Sequence, residues 1–175
     1  MTSHAMGSDT REGDVEPDDI PVEGVRGLDH TADVGLEVEA PDLPELFRRA
    51  ALGAVWLVLE RAADGDVTNS ADSTMAGSRS VDLVDEDLGN LLRTWLRTVL
   101  LWAETEEFVT TRARLTLLPA PLCGSPDGLA FGLTAEVEGS IDRGPRVREI
   151  KGVTLHGLKV ARVSDGWFAR VIFDV

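Results

Sequence analysis

Five consecutive residues, Asp29-His30-Thr31-Ala32-Asp33, carry two carboxylates, an imidazole and a hydroxyl directly ahead of the run Gly35 to Ala40. An imidazole beside a hydroxyl is the material of acid-base or nucleophilic chemistry, with carboxylates at hand to orient it. The same residue types are common in turns before strands, because short polar side chains bond to nearby backbone groups. A second source of carboxylate stands at the far end, in Val171-Ile172-Phe173-Asp174-Val175, where the Asp174 side chain and a terminal carboxylate on Val175 lie one residue apart. Chemistry by this set requires both ends of the folded region to meet, so the elements between them decide the matter.

Length and composition bound those elements. A chain of 175 residues, 43% of them hydrophobic, suffices for one well-packed domain and is short for two with separate cores. Residues 1–24 have almost no large apolar side chains and hold seven acids against Arg11, which predicts a disordered acidic tail; residues 25–175 are expected to form the domain. The net charge of −14 exceeds what the tail supplies, so the body is acidic as well and repels phosphate backbones. Direct nucleic-acid binding is therefore not expected unless a local basic face exists, and a basic protein partner or cations fit better. A single cysteine, Cys123, excludes an internal disulfide and a multi-thiolate metal site, consistent with a cytoplasmic protein. The most continuous apolar run, Ala50 to Leu59, falls well short of the roughly 20 residues that span a bilayer, and no secretory signal is visible.

Periodicity then places the elements. Val25 to Leu28 is a short strand candidate, and Gly35 to Ala40 alternates apolar and acidic residues as a strand with one wet face does; together they predict a hairpin closed by the acidic cluster. A helix follows with Asp42 as N-cap and Glu45 at capping-box spacing, and Leu43, Phe47, Ala50, Ala51, Ala54 and Val58 form one buried stripe. Ser80 to Val84 predicts a third strand. Asp85, Glu86 and Asp87 open a second helix whose apolar residues run from Leu88 to Trp102, with Leu100 and Leu101 broadening its apolar surface. Strand signals fill the remainder, at 110–118, 129–137, 149–163 and 167–173, with Ser164-Asp165-Gly166 as a hairpin turn. The expected order is β-β-α-β-α-β-β-β-β, an α+β domain with two helices packed on a largely antiparallel sheet.

Other chemical readings of the residues stay open at this level. His30 and His156 with Thr31 or Thr154 allow zinc ligation or a catalytic base, although zinc prefers three or four protein ligands, and lone histidines are more often hydrogen-bonded structural residues. Asp29 and His30 suit residues that orient Asp33. Gly124 to Gly128 is no phosphate-binding loop, because no strand-to-helix transition surrounds it.

With these residues in hand, the sequence resembles the archease family. The matching pieces are Asp29-His30-Thr31-Ala32-Asp33-Val34-Gly35, the Leu91 to Leu96 helix segment, Glu149-Ile150-Lys151-Gly152-Val153-Thr154-Leu155-His156, and the closing Asp174-Val175. The resemblance spans about Gly24 to Val175. It implies a protein cofactor that assists RtcB-type RNA ligases in transfer-RNA splicing and RNA repair, promoting guanylylation of the ligase and multiple turnover without being an enzyme itself. It also implies a bound divalent metal ion, calcium, with Asp33, Asp174 and Val175 as ligands. For Lys151 the resemblance suggests contact with the ligase or with a nucleotide phosphate; a solvated strand face is the plainer alternative. The chain departs from the family at Leu155, where an aromatic residue is common, and at Gly139-Ser140 and Gly144-Pro145, where a Gly-Glu pair and a further histidine are frequent. These positions bear on a partner surface and remove none of the implied ligands. Two competing functions remain: a metal-dependent hydrolase using His30 and the carboxylates, and a general chaperone acting through exposed apolar helix surface.

Overall fold

The computed structural model describes residues 20–29, 33–59, 76–121, 129–144 and 149–175. Along the chain these form β1 (Val25–Asp29), β2 (Asp33–Ala40), α1 (Leu43–Leu59), β3 (Ala76–Asp85), α2 (Leu88–Thr105), β4 (Phe108–Pro121), β5 (Leu129–Ile141), β6 (Gly152–Val153), β7 (Lys159–Val163) and β8 (Gly166–Asp174). The α+β class, with two helices on antiparallel strands in one domain, is as the sequence predicts. His30, Thr31 and Ala32, the centre of the opening cluster, lie outside the described residues.

Two features differ from the expectation. The strands divide into two sheets: a five-stranded one ordered β1-β2-β8-β6, with β7 also on β8, and a three-stranded one ordered β3-β5-β4. The stretch read as one strand over 149–163 is in fact β6 and β7, separated by a turn in which Gly157 adopts φ +66. That left-handed backbone breaks the ladder, and both halves pair with β8 along the flank opposite β2. Residues 20–24 lead into β1 and pack in part with the domain. Ile20 is only 6% exposed and belongs to the core, and Val22 packs against it. An isolated apolar residue in a polar stretch is invisible to composition; here Ile20 in the core, the Glu39 N–H donating to the Gly24 carbonyl at 2.7 Å and the Arg49–Glu23 ion pair at 3.4 Å hold that segment together. The rest of the expected tail, residues 1–19, lies outside the described residues.

The two-residue loop Ser164-Asp165 closes β7 onto β8, as the turn chemistry predicts. Gly166 follows at φ +148, and a Cβ there would meet the Ala40 carbonyl oxygen at 2.2 Å, so only glycine lets the hairpin lie this close to the end of β2.

Both helices pack between the sheets: α1 against β2 and β4, and α2 against β3, β4 and β6. Their apolar faces join the inward residues of both sheets in one core. Leu36, Val38, Phe47, Leu91, Trp95 and Phe173 are fully enclosed there. Small residues Ala50, Ala51 and Ala54 let α1 sit close to its neighbours, as their spacing suggests. Leu100 is buried, whereas Leu101 is 54% exposed and Leu88 and Trp102 are half-buried, so most of the broad apolar surface of α2 is covered.

Asp42 caps α1, accepting from the Glu45 N–H at 2.8 Å, and Asp87 caps α2, accepting from the Asn90 N–H at 2.8 Å. Only half of the expected capping box forms. The Glu45 carboxylate takes hydrogen bonds from Arg48 (2.6 and 2.7 Å) and Arg49 (2.7 Å) instead of reaching back to the cap. The Arg48 hydrogen bond is the chief reason its pKa falls from 4.5 to about 2, with the Arg49 bond and both positive charges acting the same way against burial. A depressed carboxyl pKa stabilises the fold above the unfolded value, and that contribution is lost as pH falls from 4.5 through about 2. Urea unfolding over an acid pH series is therefore expected to show wild type more stable than Glu45→Gln at neutral pH, with the gap closing across that window. A gap that stays constant to the acid end would contradict the assignment.

Candidate functional site

The hairpin and the last strand bring the two sequence ends together. β2 pairs antiparallel with β8 along its whole length, and the final rung of that ladder is Asp33 with Asp174. Register partners stand on one face of a sheet, about 4.5 to 5.5 Å apart at their Cα atoms. Inward residues Val34, Leu36 and Val38 are buried and pair with Phe173, Val171 and Ala169, so the alternate positions 33, 35 and 37 belong to the outer face. The Asp174 side chain is exposed on that face. The side chain of Asp33 lies outside the described residues.

On its other flank Asp174 pairs with Gly152 of β6. A Cβ at Gly152 would meet nothing within 4 Å, so the sheet surface is open at that position beside the exposed Asp174. Lys151 precedes it and makes two contacts with the end of the chain: its N–H donates to the Asp174 carbonyl at 2.8 Å and its Nζ to the main-chain oxygen of Val175 at 3.1 Å. β6 is itself held from below, where Arg93 Nε on α2 donates to the Val153 carbonyl at 2.8 Å. Thr154 N–H continues the attachment to β8 through the Ile172 carbonyl at 3.0 Å.

The structure thus places Asp174 opposite residue 33 and sets Val175 beside Lys151. Among the described residues no group of three or more His, Cys, Asp or Glu could hold a metal ion; the candidate set instead relies on a main-chain oxygen and on Asp33. Its donor chemistry fits calcium: every candidate atom is oxygen, the rung is accessible, and calcium tolerates irregular geometry. His156 is exposed in the turn before Gly157, where its carbonyl accepts from Thr154 Oγ1 at 3.4 Å. Sequence reasoning missed Arg93 and the openness at Gly152. Only the placement of a cation within a largely apolar helix hints at the former.

A hollow of about 610 Å³ on the three-stranded sheet is lined by Arg48, Arg79, Arg112 and Arg114. It is not a basic face. Arg48 pairs with Glu45 at 2.6 Å, Arg79 with Glu106, and Arg112 with Glu138 at 3.9 Å, while Arg114 stands opposite Glu136 in the ladder. One acid for each arginine leaves no surplus charge to attract phosphate.

The family model described as the Archease protein family (MTH1598/TM1083) matches residues 26–175. The chain belongs to the archease family. It is similar to the protein archease of Methanosarcina barkeri, 28% identical over 152 residues, which cover 85% of this chain and 93% of that protein. Against the protein archease of Methanothermobacter thermautotrophicus the identity is 29% over 154 residues, covering 88% and 100%. The solution structure of Methanobacterium thermoautotrophicum protein 1598 shares the fold at a TM-score of 0.61 and 26% identity, covering 87% of this chain and 99% of that one. The archease match takes in every described strand from β2 onward and both helices, so the rung joining β2 to β8 lies wholly inside it. No helix among the described residues is long and apolar enough to cross a membrane.

Proposed function

We propose that this chain is a metal-binding protein cofactor of an RtcB-type RNA ligase, promoting guanylylation and multiple turnover of that ligase in transfer-RNA splicing or RNA repair, in the cytoplasm and without ligating RNA itself. One observation carries the reading: Asp33 and Asp174, from the two blocks that carry the family resemblance, are register partners at the open end of the β2–β8 ladder. Asp33, Asp174 and Val175 would hold a divalent ion, calcium. When bound, the ion supplies a fixed positive charge with room for further oxygen ligands from outside the chain. The chain's own part is to hold its oxygens at one edge of a rigid sheet, where β2 and β6 flank β8 and limit its movement. A surface built in this way suits priming a partner's site better than enclosing a substrate, because Asp174 is exposed and the sheet is open at Gly152 beside it.

The test uses purified ligase and intact protein. Ligase alone is expected to stall after limited turnover, and added protein to restore repeated turnover, while Asp33→Ala and Asp174→Ala proteins remain folded and fail to do so. A flat turnover curve on adding the intact protein overturns the proposal. Hydrolysis of phosphoesters by the isolated chain would point instead to a metal-dependent hydrolase.

A further inference from the structure

The contacts at β6 assign Lys151 a role inside the molecule. We propose that Lys151 is a positioning residue that fixes the Val175 oxygen beside Asp174, and that Arg93 on α2 sets the position of β6 from which Lys151 reaches. The inference rests on the metal reading for its functional meaning and on geometry alone for its structural content.

Three observations carry it. The backbone of Lys151 is already bound to the end of β8, through its N–H to the Asp174 carbonyl at 2.8 Å. The same residue delivers its ammonium to Val175 at 3.1 Å, so both contacts fall on the two residues assigned as ligands. An exposed lysine pairing alone is weak, since two long chains must be ordered for it. Here the ladder has already ordered the backbone, and only the lysine side chain remains to be placed. The third observation is the support beneath. β6 is two residues long, too short to hold itself, and Arg93 Nε joins it to α2 across 60 positions of sequence at 2.8 Å. Val153, the residue so held, is 3% exposed and lies in the core, so Arg93 acts on a packed strand rather than a free loop.

The chain of contacts therefore runs from α2 through Arg93 to Val153, and from Lys151 to the Val175 oxygen. Among the described residues, Lys151 adds a polar contact to a Val175 that is otherwise attached through the chain and partly packed on the core. Groups that orient a metal's ligands typically change affinity by about 10- to 100-fold when removed. An ammonium acting merely as a nearby like charge would have the opposite sign: its removal would tighten cation binding.

The experiment measures calcium binding by titration calorimetry and the order of the Val175 amide by NMR relaxation in the full chain, for wild type, Lys151→Met and Lys151→Arg. Lys151→Met is expected to bind calcium at least ~10-fold more weakly and to loosen Val175; Lys151→Arg, which keeps a cationic donor, is expected to stay near wild type in both. Unchanged order at Val175, or calcium binding that is unchanged or tighter in Lys151→Met, overturns the proposal. If wild type binds no calcium, the metal reading fails, and the Val175 order alone decides whether Lys151 positions it. Arg93→Met is expected to speed hydrogen exchange at the Lys151 and Thr154 amides, and unchanged exchange there removes Arg93 from the scheme.

Discussion

Asp174→Asn is expected to lower calcium affinity by about 100-fold or more while leaving the metal-free fold intact, since carboxylate count is what tunes such sites over many decades. Asp174 is exposed and already paired on both flanks through its backbone, so the substitution removes charge without removing packing. In the absence of metal the variant should be no less stable than wild type, because two like charges on one rung repel and one of them is gone. With calcium at about 100 times its dissociation constant, a single site stabilises the folded state by about 2.7 kcal/mol. For a domain of this size that corresponds to a rise in Tm of roughly 5 to 10 °C. Thermal melts with and without calcium should show this rise in wild type and lose it in Asp174→Asn. An equal rise in both proteins would place the ion elsewhere.

The second large effect is on the core. Trp95 is fully buried, packs edge-to-face on Trp102 of the same helix at 6.3 Å, and donates its indole N–H to the Phe47 carbonyl at 3.0 Å, so that hydrogen bond ties α2 to α1 from within the core. Trp95→Ala should cost about 4 kcal/mol, the cost of a large cavity where helices and both sheets meet. The corresponding fall in Tm is roughly 10 °C. Trp95→Phe keeps most of the volume and loses the donor, and should cost about 1 to 2 kcal/mol. Urea unfolding of both variants separates packing from hydrogen bonding. Equal losses in the two would show that the N–H, and not the ring volume, holds the helices together.

The residues that made the fold legible were those whose local pattern and tertiary role agree. The alternation of Gly35 to Ala40 marks β2 because one face of it is wet, and Asp42 and Asp87 mark helix starts because the cap bond is made within the same turn. Glu45 shows where local reasoning stops: the cap spacing is right, but two arginines one turn on offer its carboxylate charged donors. The division into two sheets was hidden because period-two alternation says which face is buried and nothing about which strand lies alongside. Gly157 is one glycine among 17, and nothing in the sequence around it announces the left-handed backbone that breaks β6 from β7. The candidate site was legible through the resemblance alone. Asp33 and Asp174 meet as a rung of a ladder set by a hairpin turn and a buried register, neither of which the spacing between them encodes. The Arg93 contact to a main-chain carbonyl had still less to announce it, since any residue type can supply that acceptor.

β8 lies between β2 on one side and β6 with β7 on the other, so a strand from the start of the domain and strands from near its end must all be present before it is complete. During synthesis β2 leaves the ribosome long before its partner, with one edge unpaired and a row of free amides and carbonyls facing solvent. The nascent protein is thus most prone to stick to its neighbours until β8 docks. Its aspartate rung is made only when residues 166–174 dock, so the two carboxylate positions stay apart until that strand is in place.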